Sequence, residues 1–334
     1  MRNLIFSILL IISVNSCNNN QESIVVYTSV DQVFSEPILK DFEKETGIVV
    51  KAIYDTEETK STGVLNRLIA EKNNPQCDLF WSGDPIRTIV LKNKGITVAY
   101  ESPIAEDINT IYKDKDHHWT GFSARARVLI YNKSLLADSL IPKSIFDLTK
   151  PEYKANVTIA NPLFGTTTFH IAAIFSALGD EKAKQFLQEL KQNNVVIATS
   201  NGDVKKRVAN GEVACGLTDT DDAFEALKEG ANIGIVFLDQ ENKVGSLIMP
   251  NTICLINNSP NKNNAKKLAD YLLSKNTEAK LAVSCAQMPL HKGVEIPNNV
   301  PSLDNITPMK IDYNTTALKL EEIQDYIKNW VEED

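Results

Sequence analysis

Between Ser23 and Gly83 the chain alternates strand and helix patterns so regularly that few folds can accept it. "SIVVYTS" (23–29) is a β-branched run and predicts a strand. "FSEPILKDFEKETG" (34–47) sets Phe34, Ile38, Leu39 and Phe42 at helical spacing, with Pro37 near the start and Gly47 at the end. "IVVKAIYD" (48–55) is a second strand. "STGVLNRLIAEKNN" (61–74) is a helix with Val64, Leu65, Leu68 and Ile69 on one face, and "CDLFWSG" (77–83) is a third strand. A β-α-β-α-β order predicts an α/β layer with a mostly parallel sheet. Ligands of such sheets bind at the carboxyl ends of the strands. Here those ends are residues 28–31, 55–63 and 82–84.

The same grammar returns later. "RVLIYNKSLL" (127–136), "NVTIANP" (156–162), "VVIATS" (195–200), "VACGLT" (213–218) and "TICLIN" (252–257) read as strands or strand starts. "GTTTFHIAAIFSALG" (165–179) is a loop opening into a helix, and "EKAKQFLQELKQN" (181–193) and "NGDVKKRVANGE" (201–212) are helices. "NKNNAKKLADYLLSKNTEAKLAVSC" (261–285) is helical, and "ALKLEEIQDYIKNWVEE" (317–333) is a last amphipathic helix carrying Leu318, Ile323, Ile327 and Trp330. With 334 residues, 43% of them hydrophobic, the chain can build two domains with real cores. Its formal net charge is -8 and no basic patch stands out, which argues against a nucleic-acid partner.

The N-terminus differs in kind. A short basic start precedes eleven apolar residues, "LIFSILLIISV" (4–14), too few for the roughly 20 that span a bilayer. This has the form of a secretory signal. It ends in "VNSC", which resembles a bacterial lipoprotein box with Cys17 as the lipidated residue. The expected division is a signal peptide over 1–16 and a polar tether over 17–22, giving an exported, lipid-anchored protein of the periplasm or cell envelope. An ordinary signal peptide cut nearby is the plainer alternative. Cys77, Cys215, Cys254 and Cys285 lie far apart in apolar contexts, which predicts buried core thiols and no zinc site.

The densest chemistry lies in "GLTDTDDAF" (216–224), where Thr218, Asp219, Thr220, Asp221 and Asp222 follow an apolar run. Carboxylates suit hard cations such as Fe3+, Ca2+ or Mg2+, and they also pair with protonated amines. One or two of these acids are also expected to cap the helix that follows. The spacing is not that of an EF-hand. Arg125 and Arg127 in "SARAR" share one face of a strand and either fork an anion or pair with protein acids. Gly165, Thr166 and Thr167 open one helix, and Ser61, Thr62 and Gly63 open another. Such starts accept anions, while simple capping is the bland alternative. Trp81 is a stacking platform or core. His117 and His118 are solvated surface. No GxSxG, HExxH or Walker pattern occurs, so an enzyme would have to work by paired acids alone, as in glycoside hydrolysis.

Taken in order, "VVYTSVDQVFSEPILKDFEKETGI", "STGVLNRLIAEKNNPQCDLFWSG", "GFSARARVLIYN", "ANPLFGTTTFH" and "NGEVACGLTDTDD" resemble the solute-binding proteins of bacterial ABC importers, in particular the ferric-ion-binding branch. The resemblance implies the two-lobed α/β periplasmic-binding fold of type 2, with crossing hinge strands. It implies lobe 1 over 23–125 with 249–302 and lobe 2 over 126–248 with 303–334. It further implies a cleft that closes on its ligand, delivery to an inner-membrane permease, a monomer, and no resident cofactor or catalysis. Thr28, Ser29, Asp31, Ser82 and Asp84 then join the cleft by position. In the ferric branch two adjacent tyrosines usually bind iron; that place is held here by Asp219 to Asp222. The usual His of the first loop corresponds to Asp31, and a Glu after the third strand corresponds to Gly83. The implied cargo is ferric iron, with Asp31, Asp219 and Asp221 as metal ligands and an accompanying anion. An organophosphonate such as 2-aminoethylphosphonate, a polyamine, and a sensory rather than transport role are the alternatives.

Overall fold

The computed structural model describes residues 21–55, 62–241 and 244–332. The signal segment, Cys17 and Ser61 therefore lie outside the described residues. The first half follows the predicted alternation: β1 (Ser23–Thr28), α1 (Gln32–Thr46), β2 (Val49–Tyr54), α2 (Thr62–Ala70), β3 (Leu79–Ser82), α3 (Pro85–Asn93) and the short β4 (Thr97–Val98). β1 is parallel to both β2 and β3, so each link needs a crossover helix. α1 stops at Gly47, whose left-handed φ of 73° lets its N–H return to the Glu43 carbonyl at 2.8 Å. Pro37 lies inside α1 rather than near its first turn, because the helix starts two residues before Phe34.

The second half begins with β5 (Thr120–Asn132) and continues through β6 (Val157–Ala160), α4 (Gly165–Leu178), α5 (Asp180–Gln192), β7 (Val196–Ala198), α6 (Asn201–Ala209), β8 (Cys215–Asp219), α7 (Thr220–Lys228) and β9 (Ile233–Val236). α4 begins at Gly165 itself, where a loop is expected from sequence. The chain then returns through β10 (Ile248–Ile256), α8 (Lys262–Leu272) and α9 (Lys275–Cys285), and ends in α10 (Tyr313–Glu332).

The sheet order is β2-β1-β3-β10-β5-β8-β6-β7, with β4 also on β10 and β9 also on β5. β5 holds the two halves together. Its residues 120–126 pair antiparallel with β10, and its residues 127–131 pair antiparallel with β8. α10 packs on both α4 and α3, burying Leu320, Ile323, Ile327 and Trp330, and the Trp330 indole donates to the Leu187 carbonyl at 3.1 Å. Leu318, expected on that inner face, is exposed; Leu320 takes its place. Trp81 is core, packed against Phe122, and not a platform. The four cysteines of the described residues are free thiols, all buried.

β8 is tightly enclosed within this frame. A Cβ at Gly216 would meet Thr158 Cγ2 at 2.6 Å and Val204 Cγ1 at 2.7 Å, between β6 and α6. Gly216→Ala is therefore expected to destabilise the protein by about 1–3 kcal/mol through overpacking. Urea denaturation reads this directly; a change within about 0.5 kcal/mol would mean that the strand gives way freely.

Candidate functional site in the cleft between the two halves

The carboxyl ends of β1, β6, β7 and β8 face a common cleft of about 360 Å3. Helices start at each of these ends, so α1, α4, α6 and α7 direct their N-termini toward it. Helix starts carry unsatisfied N–H groups and partial positive charge. α4 opens after Phe164 with no side-chain cap, whereas Ser200 caps α6 by accepting from the Asp203 N–H.

The wall is strongly charged. Asp31, Asp219, Asp221, Asp222 and Glu225 line it, together with Arg125, Lys205 and Lys206. The oxygens of Asp219, Asp221 and Asp222 lie within 4.8 Å of one another. Asp219 is the buried centre. It accepts from Arg127 Nη1 at 2.7 Å, from Arg125 Nη1 at 3.4 Å and from the Thr166 hydroxyl at 2.6 Å. Burial alone would raise its carboxyl, but the guanidiniums of Arg127 and Arg125 and the Thr166 hydroxyl overcome this and hold it below the usual range. Arg125 also donates to Asp221 at 3.2 Å and, from its other nitrogen, to the Gly83 carbonyl at 2.5 Å. It thus links the end of β3 to the acid cluster at the end of β8. Burial would lower the Arg125 guanidinium; Asp221 and Asp219 reverse this and raise it. A Cβ at Gly83 would come within 3.0 Å of Arg125 Nη2, so the guanidinium fills the space that a larger residue there would need. His170, buried behind the network, is pushed down to about 3 by burial and by Arg127.

Of the residues expected at the site, Ser29, Asp31, Arg125, Gly165, Thr166, Asp219, Asp221 and Asp222 line the cleft. Others support it from behind. Arg127 is buried against Asp219, so both arginines pair with protein acids. Thr167 donates to Asn201 Oδ1 at 3.3 Å, Thr218 to Asp222 at 3.0 Å, and Thr220 accepts from the Ala126 N–H at 3.2 Å. Thr166, expected to bind an anion, has its hydroxyl engaged by Asp219. Thr28 turns inward to accept from the Val30 N–H, and Ser82 accepts from the Asp84 N–H. Asp84 caps α3 through the Arg87 N–H and is fully buried, which removes it from the wall. Thr62 and Gly63 start α2 and are half-buried, but the cleft does not reach them. Asp219 occupies the N-cap position of α7 without capping it, because its oxygens serve the arginines.

Sequence reasoning missed Asn201, Lys205, Lys206, Glu225, Phe34 and Phe164, all on the wall. Asn201 donates to Thr166 Oγ1 at 2.8 Å and accepts from Arg127 at 3.0 Å. The available signal was the start of "NGDVKKRVANGE" at a strand end, equivalent to the two helix starts that were noticed.

The profile of bacterial extracellular solute-binding proteins matches residues 38–304. The chain belongs to that family. Among its relatives are iron uptake protein A1 of Synechocystis sp., 26% identical over 294 residues, covering 84% of this chain and 79% of that one. A putative 2-aminoethylphosphonate-binding periplasmic protein of Salmonella typhimurium is 26% identical over 297 residues, covering 86% and 80%. The crystal structure of iron-bound HitA from Pseudomonas aeruginosa superposes with a TM-score of 0.84 at 21% identity, over 92% of this chain and 99% of that one. The two-lobed periplasmic-binding fold read from the sequence is therefore the fold of this protein. The family is one of solute-binding proteins, which makes this cleft the candidate solute site.

Removing the central charge tests the network. Asp219→Asn leaves two buried guanidiniums short of their anion and is expected to cost about 3–5 kcal/mol. Because the folded carboxyl lies below its unfolded value of about 3.9, this contribution is complete above that pH. It is lost as pH falls through the folded value. Urea midpoints of the native chain and Asp219→Asn should differ widely at pH 7 and converge in acid. Parallel curves at all pH would disprove the ionic role.

Proposed function

We propose that the protein is the capture component of an ABC importer, held to the envelope by a lipid on Cys17, and that its cargo is ferric iron bound with an accompanying anion. The observation that carries this reading is the convergence of Asp219, Asp221 and Asp222 on one wall of the cleft, their oxygens within 4.8 Å of one another. Such a set supplies hard donors to a hard cation. Asp31 lines the cleft with them. Arg125, Lys205, Lys206 and the uncapped start of α4 supply the charge that an accompanying anion needs. The names of several relatives, iron uptake protein A1 among them, support the same cargo. Lobe 1 comprises 23–125 with 249–302, and lobe 2 comprises 126–248 with 303–334. The change of partner along β5 at Ala126 and Arg127 supports the first of these divisions. The mature chain acts as a monomer that docks on an inner-membrane permease.

A second reading rests on a separate observation. Arg125 and Arg127 already neutralise Asp219, and Arg125 also engages Asp221, which leaves the wall mixed in sign. A zwitterion such as 2-aminoethylphosphonate matches that pattern. A polyamine matches the acids alone and would meet Lys205 and Lys206.

The two readings separate in a thermal-shift titration with ferric citrate, 2-aminoethylphosphonate and spermidine, combined with elemental analysis of the purified protein. A ligand at about 100 times its Kd adds about 2.7 kcal/mol to the folded state. Ferric citrate is expected to raise Tm, and Asp221→Asn with Asp222→Asn to abolish the rise. The complex is expected to lack the strong visible band of a phenolate site, since no tyrosine lines the cleft among the described residues. A shift with aminoethylphosphonate and none with iron would overturn the iron reading.

A further inference from the structure

In "TGFSARAR" (120–127) the two arginines that pair with Asp219 follow a serine that a β-strand does not normally tolerate in its observed shape. Ser123 has φ of 42°, in the left-handed region, and is fully buried. It is the extra residue of a β-bulge. Phe122 pairs with Asn251 and Ala124 with Pro250, so two consecutive residues of β10 face three of β5. A bulge bends its strand and re-aims the side chains that follow. The second residue after this one is Arg125, and the third is Ala126, where β5 exchanges β10 for β8.

A left-handed non-glycine residue persists only where its surroundings over-determine it. Here the determinant is Glu278 of α9, also fully buried. Its Oε1 accepts from the Ser123 N–H at 2.8 Å and the Leu290 N–H at 2.9 Å, and its Oε2 accepts from the His291 N–H at 2.9 Å. Three backbone donors from two segments thus converge on one side chain. Asn251 clamps the other side, donating to the Ser123 carbonyl at 2.7 Å and to Gln287 at 2.6 Å. A pair of 2.7 Å backbone hydrogen bonds between Ala124 and Met288 closes the arrangement. Even so, the Ser123 hydroxyl and Asn251 Oδ1 stay buried without partners. The bulge is therefore held in place by its neighbours, above all Glu278, and not by its own preference.

We infer that Glu278 is a positioning residue of the solute site: it holds the Ser123 bulge, and through the bulge it aims Arg125 across the cleft at Gly83, Asp219 and Asp221. Its side-chain hydrogen bonds go to Ser123, Leu290 and His291, none of them on the cleft wall, and it acts through two residues of β5. The inference does not depend on the identity of the cargo.

A double-mutant cycle on the full chain tests this by urea unfolding, with Asp78 as the control. Asp78 is equally buried and equally bound to backbone N–H groups, of Val25 and Asn261, but lies away from the bulge. For independent sites the fold-changes in the unfolding equilibrium multiply within about twofold. Asp78→Asn with Arg125→Ala should obey this. Glu278→Gln, which sets an amide N–H2 against a backbone N–H, should fall short of the product with Arg125→Ala by tenfold or more. Ser123→Gly, which accepts a left-handed φ freely, should restore part of the stability lost in Glu278→Gln and none of that lost in Asp78→Asn. If Glu278→Gln alone does not fold, its pairing with Ser123→Gly should. Multiplicative behaviour at Glu278, or no selective rescue by Ser123→Gly, overturns the proposal.

Discussion

A carboxylate with 1% of its surface exposed sits between two guanidiniums, and the rest of the cleft is arranged around it. Asp219 ends β8, Arg125 and Arg127 come from β5, Thr166 from the first turn of α4, and Asn201 from the first turn of α6. One acid therefore ties together side chains from four elements. Buried charge is tolerable only when paired and hydrogen-bonded, and Asp219 is paired with both guanidiniums. Asp219 consequently behaves as a structural ion first and as a candidate ligand second. Asp221 and Asp222, nearer the first turn of α7, are the more available donors for a solute.

Much of the frame was legible because periodicity reports it. The crossover helices, the parallel β1 to β3 unit and the position of the acid cluster at a strand end all follow from short apolar runs and their spacing. The site was less legible, for reasons that are specific. Asp84 has the residue type of a cleft acid and the sequence position of one, yet a helix cap claims it. Thr28 and Ser82 likewise satisfy local N–H groups. Polar residues at strand ends have two uses, turning the chain and meeting a ligand, and sequence does not tell them apart. Lys205 and Lys206 went unnoticed because they look like the solvated face of a short helix. Only the tertiary placement of α6 brings them to the wall, where Lys205 pairs with Glu225.

The acid cluster at the end of β8 is coupled to the end of β3 across the cleft. On the β3 side the guanidinium of Arg125 lies against Gly83. A Glu at 83 would need that same space. Three acids stand together beside β8, and Arg125 reaches toward two of them. The wall carries both signs before any solute arrives, five acids beside three bases. Such a wall discriminates by arrangement rather than by net charge, and it favours a solute that presents both signs.

This balance also constrains closure. Arg125 reaches from the acid cluster to the Gly83 carbonyl, so a change in cleft width has to stretch or exchange one of those contacts. A solute closes the cleft only to the extent that it binds the closed form better than the open one. It must therefore add contacts beyond those Arg125 already makes, or replace them with stronger ones. The fold meets this demand by fixing the base of Arg125 while leaving its tip shared between partners. Its strand is pinned two residues earlier by a bulge whose conformation is held from α9, outside the cleft altogether. Rigidity at the strand and choice at the guanidinium are then separate properties, set by different residues.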